Sequence, residues 1–151
     1  MQLHNSQKIL LVEDNEHDEF MTVRALKKCR VSNEIDVVRD GAEAVDYLLR
    51  RGEFSEMAVG DLPALVLLDL KLPKLNGIEV LEALRANAAT RHTPVVVMTS
   101  SAEEQDVADS YSFGCNSYIQ KPVDFDKFMY AIEQLGVYWL LLNRRAATGH
   151  A

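Results

Sequence analysis

Residues Ala64–Gly77 read A-L-V-L-L-D-L-K-L-P-K-L-N-G. The apolar run Ala64–Leu68 is unbroken and closes on Asp69, after which Pro73 and Asn76-Gly77 punctuate the chain. An apolar run of that length, without alternation, suits a strand buried on both faces of a parallel sheet. It delivers the Asp69 carboxylate to the carboxyl end of a central strand, where open α/β sheets bind their ligands.

Working outward, Lys8–Val12 (K-I-L-L-V) and Val95–Met98 are further continuous apolar strands, ending at Glu13-Asp14-Asn15 and Thr99-Ser100-Ser101. Glu34–Val38 (E-I-D-V-V) alternates polar and apolar residues, and Ser117–Gln120 is short and mixed, so both read as edges. Helical spacing follows each strand. The first helix is expected over about Glu16 to Cys29, with Phe20, Val23 and Leu26 on one face. The second is capped by Asp40 with Glu43 at its third position, and Val45, Leu48 and Leu49 supply its inner face. The third runs from about Ile78 to Ala88. A fourth opens on Ser101-Ala102-Glu103-Glu104, in capping-box form, and Gly114 stops it. The last is capped by Asp124 and carries Phe128, Ile132 and Leu135. Arg51–Pro63 is a connection long for such a unit. Five strand–helix alternations with right-handed crossovers and those two edges predict an α/β, doubly wound, flavodoxin-like five-stranded parallel sheet of order 2-1-3-4-5. The division expected is a disordered stretch 1–7, one domain over 8–136, and an apolar helical extension and tail over 137–151.

The 151 residues are 48% hydrophobic and 26% charged with net charge -7, an ordinary soluble composition able to bury a core. A net negative surface repels phosphate backbones, which argues against nucleic acid as partner. Cys29 and Cys115 are too few for a disulfide framework and fit a reducing, cytoplasmic setting. Met1–Gln7 has no apolar core of a signal peptide, and no run reaches the ~20 apolar residues of a membrane span.

The strand ends carry the chemistry: Glu13 and Asp14 after the first, Asp69 on the third, Thr99 on the fourth, Lys121 after the fifth. Three carboxylates in one pocket repel one another, and a hard divalent cation such as Mg²⁺ relieves them. Thr99 offers a hydroxyl and Lys121 a compact positive charge, both suited to phosphoryl oxygens. Phosphoryl transfer asks for little beyond positioning and charge neutralisation. Asp69 then reads as a nucleophile whose product is an aspartyl phosphate.

These residues, with Asn76-Gly77, Gly114 and Tyr118 just ahead of Gln120-Lys121-Pro122, resemble bacterial response-regulator receiver domains over about Lys8 to Leu135. The resemblance implies that Asp69 takes a phosphoryl group from the phosphohistidine of a sensor histidine kinase. It implies Mg²⁺ held by Asp14, Asp69 and the Lys71 backbone carbonyl, with Glu13 acting through water. Thr99 and Tyr118 would be a switch pair and the Lys121-Pro122 bond would be cis. The protein would then be no enzyme beyond self-catalysed phosphorylation and dephosphorylation. The long Arg51–Pro63 connection, the L-D-L-K-L-P-K-L-N-G wording and the apolar tail are similar to small regulators that partner phytochrome-type kinases. A stand-alone receiver is the leading expectation, with a phosphorelay intermediate or a chemotaxis-type regulator as alternatives. A haloacid-dehalogenase-type phosphatase would want an acid where Lys71 stands, and an FMN carrier would not place Glu13-Asp14-Asn15 against a phosphate.

Beyond Leu135, G-V-Y-W-L-L-L is too apolar for a free surface. An extended C-terminal helix that dimerises through Tyr138, Trp139 and Leu142 is the expectation. Folding back on the domain and lying on a membrane surface are the alternatives. His4, His17, His92 and His150 do not pair at ligand spacing and read as surface residues, His17 lying nearest the acidic cluster.

Overall fold

Burial follows the strand patterns read from the sequence. In the computed structural model, which describes residues 8–57, 62–100 and 104–135, β1 (Ile9–Val12), β3 (Leu65–Asp69) and β4 (Val95–Thr99) are buried at every position. In β2 (Ile35–Val38) only Val38 is fully buried, and in β5 (Ser117–Gln120) burial alternates until Gln120 is exposed. A strand flanked on both sides has no solvated face, whereas an edge strand keeps one. The sheet is all parallel in the order β2-β1-β3-β4-β5, the expected flavodoxin-like topology.

Alternate residues of each strand enter opposite cores. Ile9, Leu11, Leu65, Leu67, Val96 and Met98 pack with α1 (Glu16–Lys28) and α5 (Phe125–Leu135), where Leu26, Phe128 and Ile132 are fully buried. Leu10, Val12, Val66, Leu68, Val95 and Val97 pack with α2 (Gly41–Leu49) and α3 (Gly77–Ala86), through Ala44, Leu48, Val80, Leu81 and Leu84. Each buried side chain of this size contributes about 1.5–3 kcal/mol. The fourth helix, α4, spans Glu104–Ser112, and Gly114 follows it with φ +98°, a conformation that favours glycine at a helix end.

Several local readings are refined. The buried face of α1 is Thr22, Ala25 and Leu26, with Thr22 Oγ1 against Met98 Sδ at 4.0 Å. Phe20, expected inward, is 60% exposed, because it lies on the flank of the helix with Arg24 and Lys27. Asp40 does cap α2 by accepting the Glu43 N–H at 2.7 Å. The Glu43 carboxylate, however, accepts from the Arg39 N–H at 2.8 Å and not from the cap itself. Tyr47 is nearly buried, its hydroxyl donating to Asp36 Oδ2 at 2.6 Å. The long connection after α2 begins with a 3₁₀ turn, Gly52–Phe54, whose Phe54 ring meets Tyr47 edge-on at 5.2 Å.

Asn76-Gly77 is not a free turn. Asn76 is the N-cap of α3 and shares a reciprocal capping box with Glu79. Gly77 is the first helical residue, and a Cβ there would stand 2.4 Å from the Asp69 carbonyl oxygen and 2.6 Å from Leu70 Cα. The helix thus starts against the backbone of the β3 terminus, an approach only glycine permits. The opening residues of the expected fourth-helix capping box, Ser101–Glu103, lie outside the described residues. So do 1–7 and the tail with Tyr138, Trp139 and Leu142. Among the described residues no helix is long and apolar enough to cross a membrane.

Candidate functional site

Parallel pairing in register sets the strand ends side by side. Val12 pairs with Leu68, Asp69 with Met98, and Thr99 with Gln120. Glu13 and Asp14 therefore leave β1 beside Asp69, and Lys121 leaves β5 beside Thr99. The Lys121 N–H donates to the Thr99 carbonyl at 2.8 Å, and the Lys121–Pro122 peptide bond is cis. Thr99 is fully buried. Tyr118 is half-buried, its ring packed into the core on the α2/α3 side.

The Lys121 ammonium organises the cluster. Its Nζ lies 2.8 Å from Glu13 Oε1, 2.8 Å from Asp18 Oδ2 and 3.1 Å from Asp69 Oδ2. The contacts to Asp18 and Asp69 are hydrogen bonds. Glu13 Oε1 is buried and receives no directed hydrogen bond, so its attraction to Lys121 is that of an ion pair. The other Glu13 oxygen accepts the Asn15 N–H at 3.3 Å, and Asp69 Oδ1 accepts the Lys71 N–H at 3.3 Å.

Burial and like charge leave their mark on ionisation. Desolvation, reinforced by the Asp69 charge and opposed by Lys121, raises Glu13 from 4.5 to about 7. Burial alone would lower Lys121, but its hydrogen bond to Asp18, its close ion pair with Glu13 and the charge of Asp69 outweigh it and hold the ammonium above its ordinary range. Lys121 thus stays charged at neutral pH.

Oxygens of Glu13, Asp14 and Asp69 lie within 4.8 Å of one another. Asp14 is exposed, so the cluster opens to solvent on that side. An all-oxygen donor set, one of its atoms buried without a hydrogen bond, suits a hard divalent cation that retains waters. The residues fit such an ion. The same geometry presents one Asp69 oxygen beside a fixed positive charge, which suits a carboxylate nucleophile attacking an anionic electrophile.

Glu13, Asp14, Asp69, Thr99 and Lys121 all fall at this end of the sheet. Lys71 is exposed at its mouth, and His17 is exposed on α1. Asp18 was not among the expected site residues. The sequence offers only a partial signal, Asn15 standing three residues ahead of Asp18 at the acidic strand end. The structure shows Asn15 capping α1 by accepting the Asp18 N–H at 2.8 Å, which sets Asp18 in the first turn of that helix.

The chain can be set beside known proteins. The solved bacteriophytochrome response regulator RtBRR is 51% identical, with TM-score 0.82 over 91% of this chain and 82% of its own. The probable methanogenesis regulatory protein FilR2 of Methanothrix harundinacea is 40% identical over 136 residues, covering 90% of this chain and 85% of its own. Response regulator Rcp1 of Synechocystis sp. is 36% identical over 132 residues, 87% of this chain and 88% of its own. A crystal structure of the Mn²⁺-bound form of Rcp1 superposes with TM-score 0.73 at 35% identity, covering 89% of this chain and 94% of that one. Residues 9–133 match the response regulator receiver domain, and with the acidic strand ends and the sheet order in place, the chain belongs to the response regulator receiver-domain family.

Proposed function

We propose that Asp69 is a phosphoacceptor loaded by the phosphohistidine of a sensor histidine kinase. The observation that carries this is the largely buried Lys121 ammonium hydrogen-bonded to Asp69 and paired with Glu13 at the strand ends. One Asp69 carboxylate oxygen forms the bond to phosphorus as the P–N bond to the donor imidazole breaks. The imidazole keeps the electron pair and takes up a proton. Lys121 balances the charge arriving with the phosphoryl oxygens, and the Thr99 hydroxyl donates to one of them. Glu13 (through water), Asp14, Asp69 and the Lys71 carbonyl would hold Mg²⁺, and a bound divalent cation supplies further neutralisation of that charge. Thr99 and Tyr118 would report the modified state to the surface beside β5.

The domain is read as residues 8–136, with 137–151 as an extension that pairs two copies through Tyr138, Trp139 and Leu142. The apolar sequence of that extension supports the pairing. A phytochrome-type kinase is the favoured donor, supported by the 51% identity to a bacteriophytochrome response regulator.

The test is intact-protein mass after incubation with Mg²⁺ and acetyl phosphate or phosphoramidate, for wild type and Asp69→Asn together. A gain of one phosphoryl group (~80 Da from its formula) in wild type alone is expected. Equal labelling of Asp69→Asn would remove Asp69 as the acceptor. Phosphoryl transfer from a phytochrome-type kinase no faster than from an unrelated kinase would remove the favoured donor.

A further inference from the structure

An ammonium carries three protons, and at Lys121 three carboxylates attract them. Two belong to the acidic cluster that fits a cation, Glu13 and Asp69. The third, Asp18, lies outside it. Only two of the three contacts are directed hydrogen bonds, those to Asp69 Oδ2 at 3.1 Å and to Asp18 Oδ2 at 2.8 Å. When Asp69 becomes an aspartyl phosphate, the first of these contacts is shared with or passed to the phosphoryl oxygens. Asp18 does not react, so among the described residues its hydrogen bond is the directed anchor of the ammonium that persists through the reaction.

The anchor is itself fixed. Its backbone N–H is held by the Asn15 cap at 2.8 Å, and an acid in the first turn of a helix is favoured by the helix dipole. Its side chain is 32% exposed against 7% for Asp69 and 0% for Glu13, so Asp18 holds Lys121 from the solvent side. A flexible four-carbon stem needs such a tether if its charge is to meet an incoming group at a defined place.

We propose that Asp18 is a positioning residue for phosphoryl transfer, acting through the Lys121 ammonium. The proposal rests on the reading of Asp69 as phosphoacceptor. Misplacement by about 1 Å can cost about 100-fold in rate. The loss of one of three contacts is expected to cost about tenfold.

The experiment compares wild type, Asp69→Asn, Asp18→Ala and Asp18→Asn. Labelling rates with acetyl phosphate are read by intact mass, Mg²⁺ affinity by calorimetry, and helical content by far-ultraviolet circular dichroism. Asp18→Ala should label about tenfold more slowly with Mg²⁺ affinity within about twofold of wild type. Asp18→Asn, which keeps an acceptor oxygen at the same reach and the same shape in the fold, should recover at least half of that loss. Labelling of Asp18→Ala at the wild-type rate would overturn the proposal. So would a parallel loss of Mg²⁺ affinity, which would make Asp18 part of the cation site. Asp18→Asn as slow as Asp18→Ala would overturn it as well. If wild type itself gains no mass, the acceptor reading fails and this inference with it, whereas wild type labelled and Asp18→Ala unchanged removes the inference alone.

Discussion

Replacing Glu13 by Gln should stabilise the fold while weakening the site. Glu13 is fully buried, and its carboxyl rises from 4.5 to about 7, first through desolvation and then through the Asp69 charge, with Lys121 opposing. A group whose folded pKa exceeds its unfolded value binds protons more tightly when folded. Its contribution is therefore fully present below about pH 4.5 and is lost as pH rises through 7. Keeping Glu13 ionised in the folded state costs about 3 kcal/mol at pH 8, at 1.36 kcal/mol for each tenfold step. Gln avoids that cost, which is already net of the attraction to Lys121, but buries an amide N–H donor where Glu13 offered only acceptors, which takes back about 1–2 kcal/mol. The net gain expected at pH 8 in EDTA is about 1–2 kcal/mol, shrinking toward zero near pH 5. Urea unfolding followed by circular dichroism would show a midpoint higher by about 0.5–1 M, given slopes of ~1–3 kcal/mol per M. Saturating Mg²⁺ should stabilise wild type by about 2.7 kcal/mol at a hundred times its dissociation constant, and the variant by less. A Glu13→Gln protein less stable than wild type at pH 8 without cation would refute the reasoning, as would a difference independent of pH.

Gly77→Ala sets a Cβ 2.4 Å from the Asp69 carbonyl oxygen and 2.6 Å from Leu70 Cα. Neither backbone atom can swing aside, so overpacking of ~1–3 kcal/mol should outweigh the ~0.4–1 kcal/mol gained by stiffening the unfolded chain. A melting temperature lower by about 2–6 °C is expected, and a rise would show that the β3 terminus yields freely. Trp139→Ala should shift the sedimenting species from dimer to monomer, and an unchanged mass would remove the tail as the pairing surface.

Much of the fold was legible because burial on two faces and burial on one leave different marks on a strand. Leu65–Leu68 and Val95–Met98 are continuous apolar runs, while Glu34–Val38 alternates, and that contrast places centre and edges before any contact is known. Once the order follows, the strand-end residues Glu13, Asp14, Asp69, Thr99 and Lys121 must converge, since parallel strands end on one side.

Side-chain partners were another matter, because they depend on how helices lean on the sheet. Nothing local in the sequence ties Asp18 to Lys121, 103 residues away; the Asn15 cap and the seating of α1 bring them together. Phe20 turns outward because the register of α1 gives its buried face to Thr22, Ala25 and Leu26, although an aromatic at helical spacing reads as core. Asn76-Gly77 reads as a turn, yet Gly77 is needed because α3 starts against the β3 backbone. Periodicity along the chain thus determined which faces are buried and which ends meet. The tertiary structure decided which atoms touch, since directed bonds and close approaches are set by the placement of elements far apart in sequence.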